Sequence, residues 1–247
     1  MATTGDATMP DLNEVSEVRR GVGNAPRVSL VPGWTLDIQR DSWRIIVQGA
    51  DRAWTASHQT LVGAGVALEH LVIALEARHH RVAVQELPVA EPVSAGTVRL
   101  VGPGSPSSTV LLLQDLSQHP HAQLPVRDVQ AADLRVLNLT AEAFTAEVMW
   151  SSDVEVRRAL RGQQRVHPVR DASPYATIVT PADAPTDWLH AGRALARLLL
   201  RASALGLEAR LELQVLGQAD TRLELRETWG LTGFPQAQFT LTGRCLS

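Results

Sequence analysis

Two short stretches constrain the fold of this 247-residue chain most strongly: Gly65-Val66-Ala67-Leu68, followed by Leu71, and Gly192-Arg193-Ala194-Leu195, followed by Leu198. Each opens a long helical pattern, and each helical pattern leads directly into an alternating strand pattern. An internal duplication would explain the match, although any buried helix that precedes a strand shows similar spacing. The matched positions favour two related helix-and-strand units.

The two helical patterns differ in polarity. The first, from Ser57 to about Arg78, is apolar nearly all round, with Glu69 and His70 as its main polar interruptions, so it is expected in the middle of the core. The second is predicted to begin near Thr186, a good N-cap, and to end at Gly206, which tolerates a positive φ angle. Its polar side carries arginines at intervals of four residues: Arg193, Arg197 and Arg201.

Alternation and turn residues predict further elements around these helices. They are a helix over Leu12–Val22, a hairpin of 34–38 with 43–47, and strands over 81–87, 97–101, 109–113, 210–216 and 237–242. Residues 1–11 are predicted to be a disordered tail, and 88–108, with four prolines and three glycines, a linker-like region. Residues 126–149 and 151–185 show little periodicity. The second of these segments predicts a solvated surface with five arginines: Arg157, Arg158, Arg161, Arg165 and Arg170.

Composition excludes several classes of partner. A net charge of −3 gives no positive field for a polyanion, so no nucleic-acid partner is expected. The single cysteine, Cys245, excludes an internal disulfide framework and fits a reducing cytoplasm. The N-terminus has no signal-peptide pattern, and no uninterrupted apolar run approaches the roughly 18 residues that span a bilayer. A cytoplasmic protein without a membrane partner is therefore expected.

No familiar catalytic motif is present. The chain has no lysine for a phosphate-binding loop and no Gly-x-Ser-x-Gly nucleophile turn. The histidine pairs at 79–80 and 119–121 lack the helical spacing and carboxylate neighbours of a tuned metal site, so no metal is expected. The six tryptophans are more typical of core or interface positions than of a cofactor site.

One ten-residue run carries a family resemblance: Ala25-Pro26-Arg27-Val28-Ser29-Leu30-Val31-Pro32-Gly33-Trp34. It resembles the Ala-Pro-Ser-x-His-Asn-x-Gln-Pro-Trp motif of the nitroreductase superfamily, in its double-domain Acg-like branch, and matches it at Ala25, Pro26 and Trp34. We call these ten residues the flavin-like run. Other motifs of that branch resemble 63–68, Asp-Trp-Leu-His-Ala-Gly-Arg-Ala-Leu at 187–195, Gly-Leu-Glu-Ala at 206–209 and Gly-Phe-Pro-Gln at 233–236.

The resemblance implies an α+β fold, a nitroreductase-like sandwich with an antiparallel-type sheet flanked by helices. Two fused, pseudo-equivalent halves, 12–108 and 109–247, would form one compact unit, with a second copy or a paralogue as the expected partner. It also implies FMN between the halves and NAD(P)H as hydride donor. The flavin supplies the chemistry in such proteins, so no catalytic side chain is assigned. The implied cofactor contacts are Arg20, Arg27 and Ser29 at the phosphate, with Trp34 and Gln236 in the pocket.

Departures from the motif leave the function open. Leu30 and Pro32 stand where the family has Asn and Gln, so two side-chain donors are missing. A hydrogen bond to a charged group contributes about 1.5–3 kcal/mol, so these losses would weaken FMN binding strongly unless nearby arginines compensate. One hypothesis is an FMN-dependent NAD(P)H oxidoreductase acting on quinone-like or nitroaromatic acceptors. A second is a non-catalytic descendant that lost FMN and serves in small-molecule sequestration or as a partner subunit. A third is a dehydrogenase-like maturation protein acting on a peptide.

Overall fold

The computed structural model describes residues 12–26, 33–39, 42–48, 56–87, 94–119, 129–151, 174–211 and 215–242. In this part of the chain the helices are α1 Leu12–Gly23, α2 His58–Glu76, α3 Ser108–Gln118, α4 Ala131–Glu142, α5 Pro185–Ala204 and α6 Ala219–Thr228. The strands are β1 Trp34–Ile38, β2 Ser42–Val47, β3 His80–Glu86, β4 Ser94–Pro103, β5 Glu147–Ser151, β6 Tyr175–Thr180, β7 Glu208–Leu211 and β8 Phe234–Thr242. The predicted α+β class is confirmed.

The strands form two antiparallel four-stranded sheets with the same connectivity. The orders are β1-β2-β4-β3 and β5-β6-β8-β7. In chain order, the long helix α2 connects β2 to β3, and the long helix α5 connects β6 to β7. Both sheets also shift register at the same place in their central strand pair, between Ile45 and Ile46 and between Ile178 and Val179. We call α1, β1–β4 and α2 the first lobe, and α4, β5–β8, α5 and α6 the second lobe.

The lobes meet where α2 packs against α5. A Cβ atom on Gly65 would overlap the carbonyl oxygen of Leu189, and one on Gly192 would overlap the carbonyl oxygen of Val62. The two glycines singled out by the sequence therefore allow the two helix backbones to touch. Gly65 and Gly192 also face each other, because the Cβ of either would lie 3.0 Å from the Cα of the other.

The predicted apolar helix is confirmed as the centre of the core. Every residue of α2 from Leu61 to Leu75 is buried, and the Ser57 side chain caps its N-terminus by accepting the Thr60 N–H at 3.2 Å. Among the described helices, α2 alone is long and apolar enough to cross a membrane, but 89% of the qualifying window is buried inside the protein. Such burial is typical of a core helix. The predicted helix at 12–22 and the hairpin are also confirmed, with Trp34 paired to Val47.

The predicted strand at 109–113 is wrong, because these residues lie in α3. The Ser107 side chain caps this helix by accepting the Val110 N–H at 3.2 Å. Val110, Leu113 and Leu116 recur every three residues and are buried, which is a helical spacing. A short run of valine and leucine fits both the helical and the strand period, so packing against neighbouring elements decides which of the two forms.

The strand predicted at 97–101 is confirmed as part of the ten-residue strand β4, which lies between β2 and β3. The linker-like prediction for 88–108 is wrong for the flanking residues 94–96 and 102–103, which also belong to β4. Residues 88–93 lie outside the described part of the chain. The glycine content misled the prediction because Gly96 serves helix packing instead of a turn. A Cβ there would collide with the Leu68 side chain of α2.

Three predictions in the second lobe need correction. The aperiodic 151–185 segment contains β6, and all six residues of β6 are buried, so this strand shows no alternation. The arginines of the segment, at 157–170, lie outside the described residues.

Helix α5 has Ala184 as N-cap and Pro185 in its first turn, so Thr186 is not the cap. The predicted strand at 210–216 overlaps β7 at 210–211, its residues 215–216 lie in a 3-10 turn instead, and 212–214 lie outside the described residues. Gly206 adopts the expected positive φ, +72°.

Helices α4 and α6 were missed for a different reason. In α6 only Arg222 is buried, and in α4 the buried residues are few, so neither helix shows a wide apolar stripe. The predicted last strand is confirmed, but β8 begins at Phe234, three residues earlier than 237.

Candidate functional site

A chain of buried hydrogen bonds ties the N-terminus of α2 to the second lobe. His58 Nε2 donates to Gln236 Oε1 at 2.9 Å. Gln236 Nε2 donates to Thr180 Oγ1 at 2.9 Å and to the Ala182 carbonyl at 3.1 Å. His58 and Gln236 are 5% and 0% exposed. Both polar atoms of the Gln236 amide, which the resemblance assigned to a cofactor, are thus bound to protein groups.

An ion pair continues this network. Arg222 donates from Nε and Nη2 to Asp183 at 3.0 and 2.9 Å, and Trp188 Nε1 donates to the same carboxylate at 2.6 Å. Burial raises the pKa of Asp183, but the hydrogen bonds from Arg222 and Trp188 outweigh it and hold the pKa below its ordinary value. Burial, helped by the charge of Arg222, lowers the pKa of His58 to about 4. The network is therefore built around a neutral histidine.

The C-terminal end of the flavin-like run, Gly33 and Trp34, lies beside this network. Trp34 is the first residue of β1 and is half-buried against the core of the first lobe. The preceding Gly33 lies against Thr60, with which an added Cβ would collide, so β1 begins next to the first turn of α2. Arg27 and Ser29, the two predicted phosphate contacts within the run, lie outside the described residues.

Arg20 lies at the opposite end of α2. It is exposed in the last turn of α1, and its neighbour Gly21 faces Ala74 near the C-terminus of α2. At 1.5 Å per residue, His58 and Ala74 are separated by about 24 Å along the helix. The structure therefore does not bring Arg20 together with Gln236, which hydrogen-bonds His58.

A cleft of about 230 Å³ lies between the lobes at the start of the flavin-like run. We call it the histidine cleft; its lining includes Asn24, Pro26, His70, Ser117, Leu199 and Ala209. His70 is 2% exposed and hydrogen-bonds through Nδ1 to Ser117 Oγ at 2.8 Å, while its Nε2 has no partner among the described residues. Burial lowers the pKa of His70 to about 4.

The described part of the histidine cleft does not fit FMN. Ligand pockets usually begin at about 300 Å³, and a phosphate needs charge-assisted donors. No arginine is among the described residues that line the cleft, and Asn24 Nδ2 already donates to the Ser117 carbonyl at 3.2 Å.

A larger cavity of about 670 Å³ lies on a different face of the α2–α5 pair. We call it the arginine cavity. Its charged residues are Arg193, Arg197 and Arg201 of α5 and Glu69 and Glu76 of α2, and its apolar residues include Val72, Val82, Val84, Leu113, Leu139 and Phe144. The sequence placed the three arginines on a polar helix side, but it did not place two glutamates against them. Glu69 and Glu76, seven positions apart on one helix, were the available signal.

Glu69 is the electrostatic centre of this cavity. It is 0% exposed, and it accepts hydrogen bonds from Arg193 Nε at 2.9 Å and Arg197 Nε at 2.5 Å. Arg193 also donates to Glu86, and its pKa rises because Glu69 and Glu86 outweigh the effect of burial. Burial raises the pKa of Glu76, partly opposed by Arg197. The buried carboxylate of Glu69 is therefore fully paired.

The two cavities occupy equivalent positions in the two lobes. Equivalent residues are separated by the same number of positions as Gly65 and Gly192, and several such pairs line the two cavities. They are Val72 and Leu199, Glu76 and Ser203, Val82 and Ala209, Val84 and Leu211, and Arg197 and His70. The same place in the fold thus carries cations on one side and a neutral histidine on the other.

Acidification from pH 7 to pH 5 is expected to destabilise the protein by about 2 kcal/mol for each of His58 and His70. Both histidines have a folded-state pKa of about 4, below the ordinary 6.5, so the unfolded chain binds more protons as pH falls through 6.5. The contribution of the two neutral histidines to the free energy of unfolding is therefore present at neutral pH and lost as the pH falls from 6.5 towards 4. Urea unfolding at both pH values measures the loss, which should shrink by about half in His70→Gln and stay the same in exposed His119→Gln. An unchanged loss in His70→Gln would contradict the prediction.

Comparisons with known proteins add no assignment: no protein-family model matches the chain, and no curated protein matches it either. Within the described ranges, no group of three or more His, Cys, Asp or Glu side chains is arranged to hold a metal ion.

Proposed function

We propose that the protein is a nitroreductase-like scaffold that binds a small molecule between its lobes and performs no flavin chemistry. The observation that carries this proposal is the contrast between its two equivalent cavities. The arginine cavity is about 670 Å³ and carries three guanidinium groups, whereas the histidine cleft, next to the flavin-like run, is about 230 Å³. Among the described residues, the larger volume and the lining arginines thus lie at the cavity away from the flavin-like run.

The placement of the implied FMN contacts supports the same conclusion. Gln236 is committed to His58, and Arg20 is exposed at the far end of α2. Leu30 and Pro32 supply no side-chain donor. Each lost charge-assisted hydrogen bond weakens binding by about tenfold or more, since 1.4 kcal/mol corresponds to a factor of ten.

The purified protein is expected to be colourless and to leave the visible spectrum of added FMN unchanged, because Leu30 and Pro32 replace two motif donors and Arg20 lies far from Gln236. NAD(P)H oxidation in the presence of FMN should not exceed that of FMN alone. The double variant Leu30→Asn/Pro32→Gln restores the two missing motif donors and is the matched control. FMN that copurifies with the unmodified protein, or a spectral shift on its addition, would overturn the proposal.

The second candidate is the FMN-dependent NAD(P)H oxidoreductase. It is favoured by the resemblance of residues 25–34 and by the unpartnered Nε2 of His70 in the cleft where that run begins. The same experiment separates the two functions, because a yellow protein that turns over NAD(P)H with a quinone acceptor would establish the oxidoreductase.

A further inference from the structure

We propose that the arginine cavity binds an amphipathic monocarboxylate, with its carboxylate on Arg201 and its apolar body against the valine and leucine wall. This inference rests on the proposed small-molecule function and names the class of ligand. It follows from the guanidinium of Arg201, which has no partner among the described residues, from the position of the apolar residues and from the volume of the cavity.

Arg201 differs from the other two arginines of the cavity because it has no acidic partner among the described residues. Three arginines and two glutamates line the cavity, and a third carboxylate, Glu86, accepts a hydrogen bond from Arg193. Arg193 and Arg197 both hydrogen-bond Glu69, and Arg197 lies 3.8 Å from the Glu76 carboxylate. The guanidinium of Arg201 has no hydrogen-bond or ion-pair partner among the described residues. A single negative charge on the ligand would neutralise it, whereas a polyanion would meet repulsion from the two glutamates.

The remaining wall is apolar. Val72 of α2, Val82 and Val84 of β3, and Leu113 of α3 line it. Leu139 of α4 also lines it and is 67% exposed, so a large apolar side chain stands uncovered at the cavity. Covering this surface with an apolar chain would be favourable, because it removes apolar area from water. The volume of about 670 Å³ lies within the range of ligand pockets, about 300–1,000 Å³.

The test is a calorimetric titration of the full chain with decanoate and, separately, with decanol at neutral pH. The two probes share an apolar chain and differ in charge. We expect decanoate to bind at least about tenfold more tightly, because a hydrogen bond from a guanidinium to a carboxylate is a charge-assisted one. Equal affinity for the two probes, or no binding of decanoate, would overturn the inference.

Arg201→Gln tests the residue that holds the carboxylate. It should weaken decanoate binding by about tenfold or more and leave decanol binding unchanged. The matched control is Arg210→Gln on β7, whose side chain is 58% exposed and 3.4 Å from Glu208, away from the cavity lining. Thermal unfolding confirms that both variants are folded. Decanoate affinity that is unchanged in Arg201→Gln, or lowered equally in both variants, would contradict the assignment of Arg201.

Failure of this inference and failure of the proposed function are distinguishable. Bound flavin and NAD(P)H turnover would contradict the proposed function, whereas the decanoate titration measures ligand binding independently of flavin. A colourless protein that does not bind decanoate would end only the carboxylate assignment.

Discussion

Replacing Gly65 with alanine should lower the free energy of unfolding by about 3 kcal/mol. The added Cβ would overlap the carbonyl oxygen of Leu189, and backbone on both sides leaves no flexible side chain to move aside. Gly192→Ala should have a similar effect, because its Cβ would overlap the carbonyl oxygen of Val62. Urea unfolding of the two variants measures the loss. Aggregation of the soluble fraction would be a further consequence, since separating α2 from α5 exposes both cores.

The control for this prediction is Gly23→Ala. Gly23 is the last residue of α1, and nothing lies within 4 Å of the Cβ that it would gain. Alanine there should be neutral or slightly stabilising, by less than about 1 kcal/mol, through the entropy of the unfolded chain. A loss below about 1 kcal/mol in both Gly65→Ala and Gly192→Ala would mean that the helices can move apart, which contradicts the close backbone contact.

Replacing Glu69 with glutamine should also cost about 3 kcal/mol of stability. The carboxylate is 0% exposed and pairs with Arg193 and Arg197, so its neutralisation leaves two partly buried guanidinium groups without their common counter-charge. Chemical denaturation at neutral pH measures the effect. The glutamine side chain has nearly the same shape, so the loss reports charge instead of packing.

Arg210→Gln is the matched control, because it breaks the exposed pair with Glu208 and should cost less than about 1 kcal/mol. Similar small losses of stability in Glu69→Gln and Arg210→Gln would show that water solvates Arg193 and Arg197 well enough to compensate for the lost carboxylate charge. The buried pairing described for the arginine cavity would then be wrong.

The sequence predicted elements well where a local pattern had one solution. Helix α2 is apolar all round, so it could only lie inside the core, and the hairpin pairs across a turn of a few residues. It failed where the period was ambiguous or concealed. The run at 109–113 fits a strand or a helix, and β6 is buried on both faces, which removes the alternation that identifies a strand.

The candidate site was less predictable than the fold. The sequence directed attention to the flavin-like run and to Gln236, but it could not show that the Gln236 amide is occupied by His58 and Thr180. The arginine cavity draws its lining from α2, β3, α3, α4 and α5, which are far apart in the chain. Even spacing of Arg193, Arg197 and Arg201 marked a helix face, but not what faces it.

The chain's own pattern determined the two central helices, the strands that follow them and the matched glycines, because periodicity and residue size act over a few neighbouring residues. Tertiary structure alone decided that those glycines touch and that the two lobes share one strand order. It also decided that one of two equivalent cavities gathers arginines around a buried glutamate, since charge pairing and cavity shape depend on distances between residues remote in sequence.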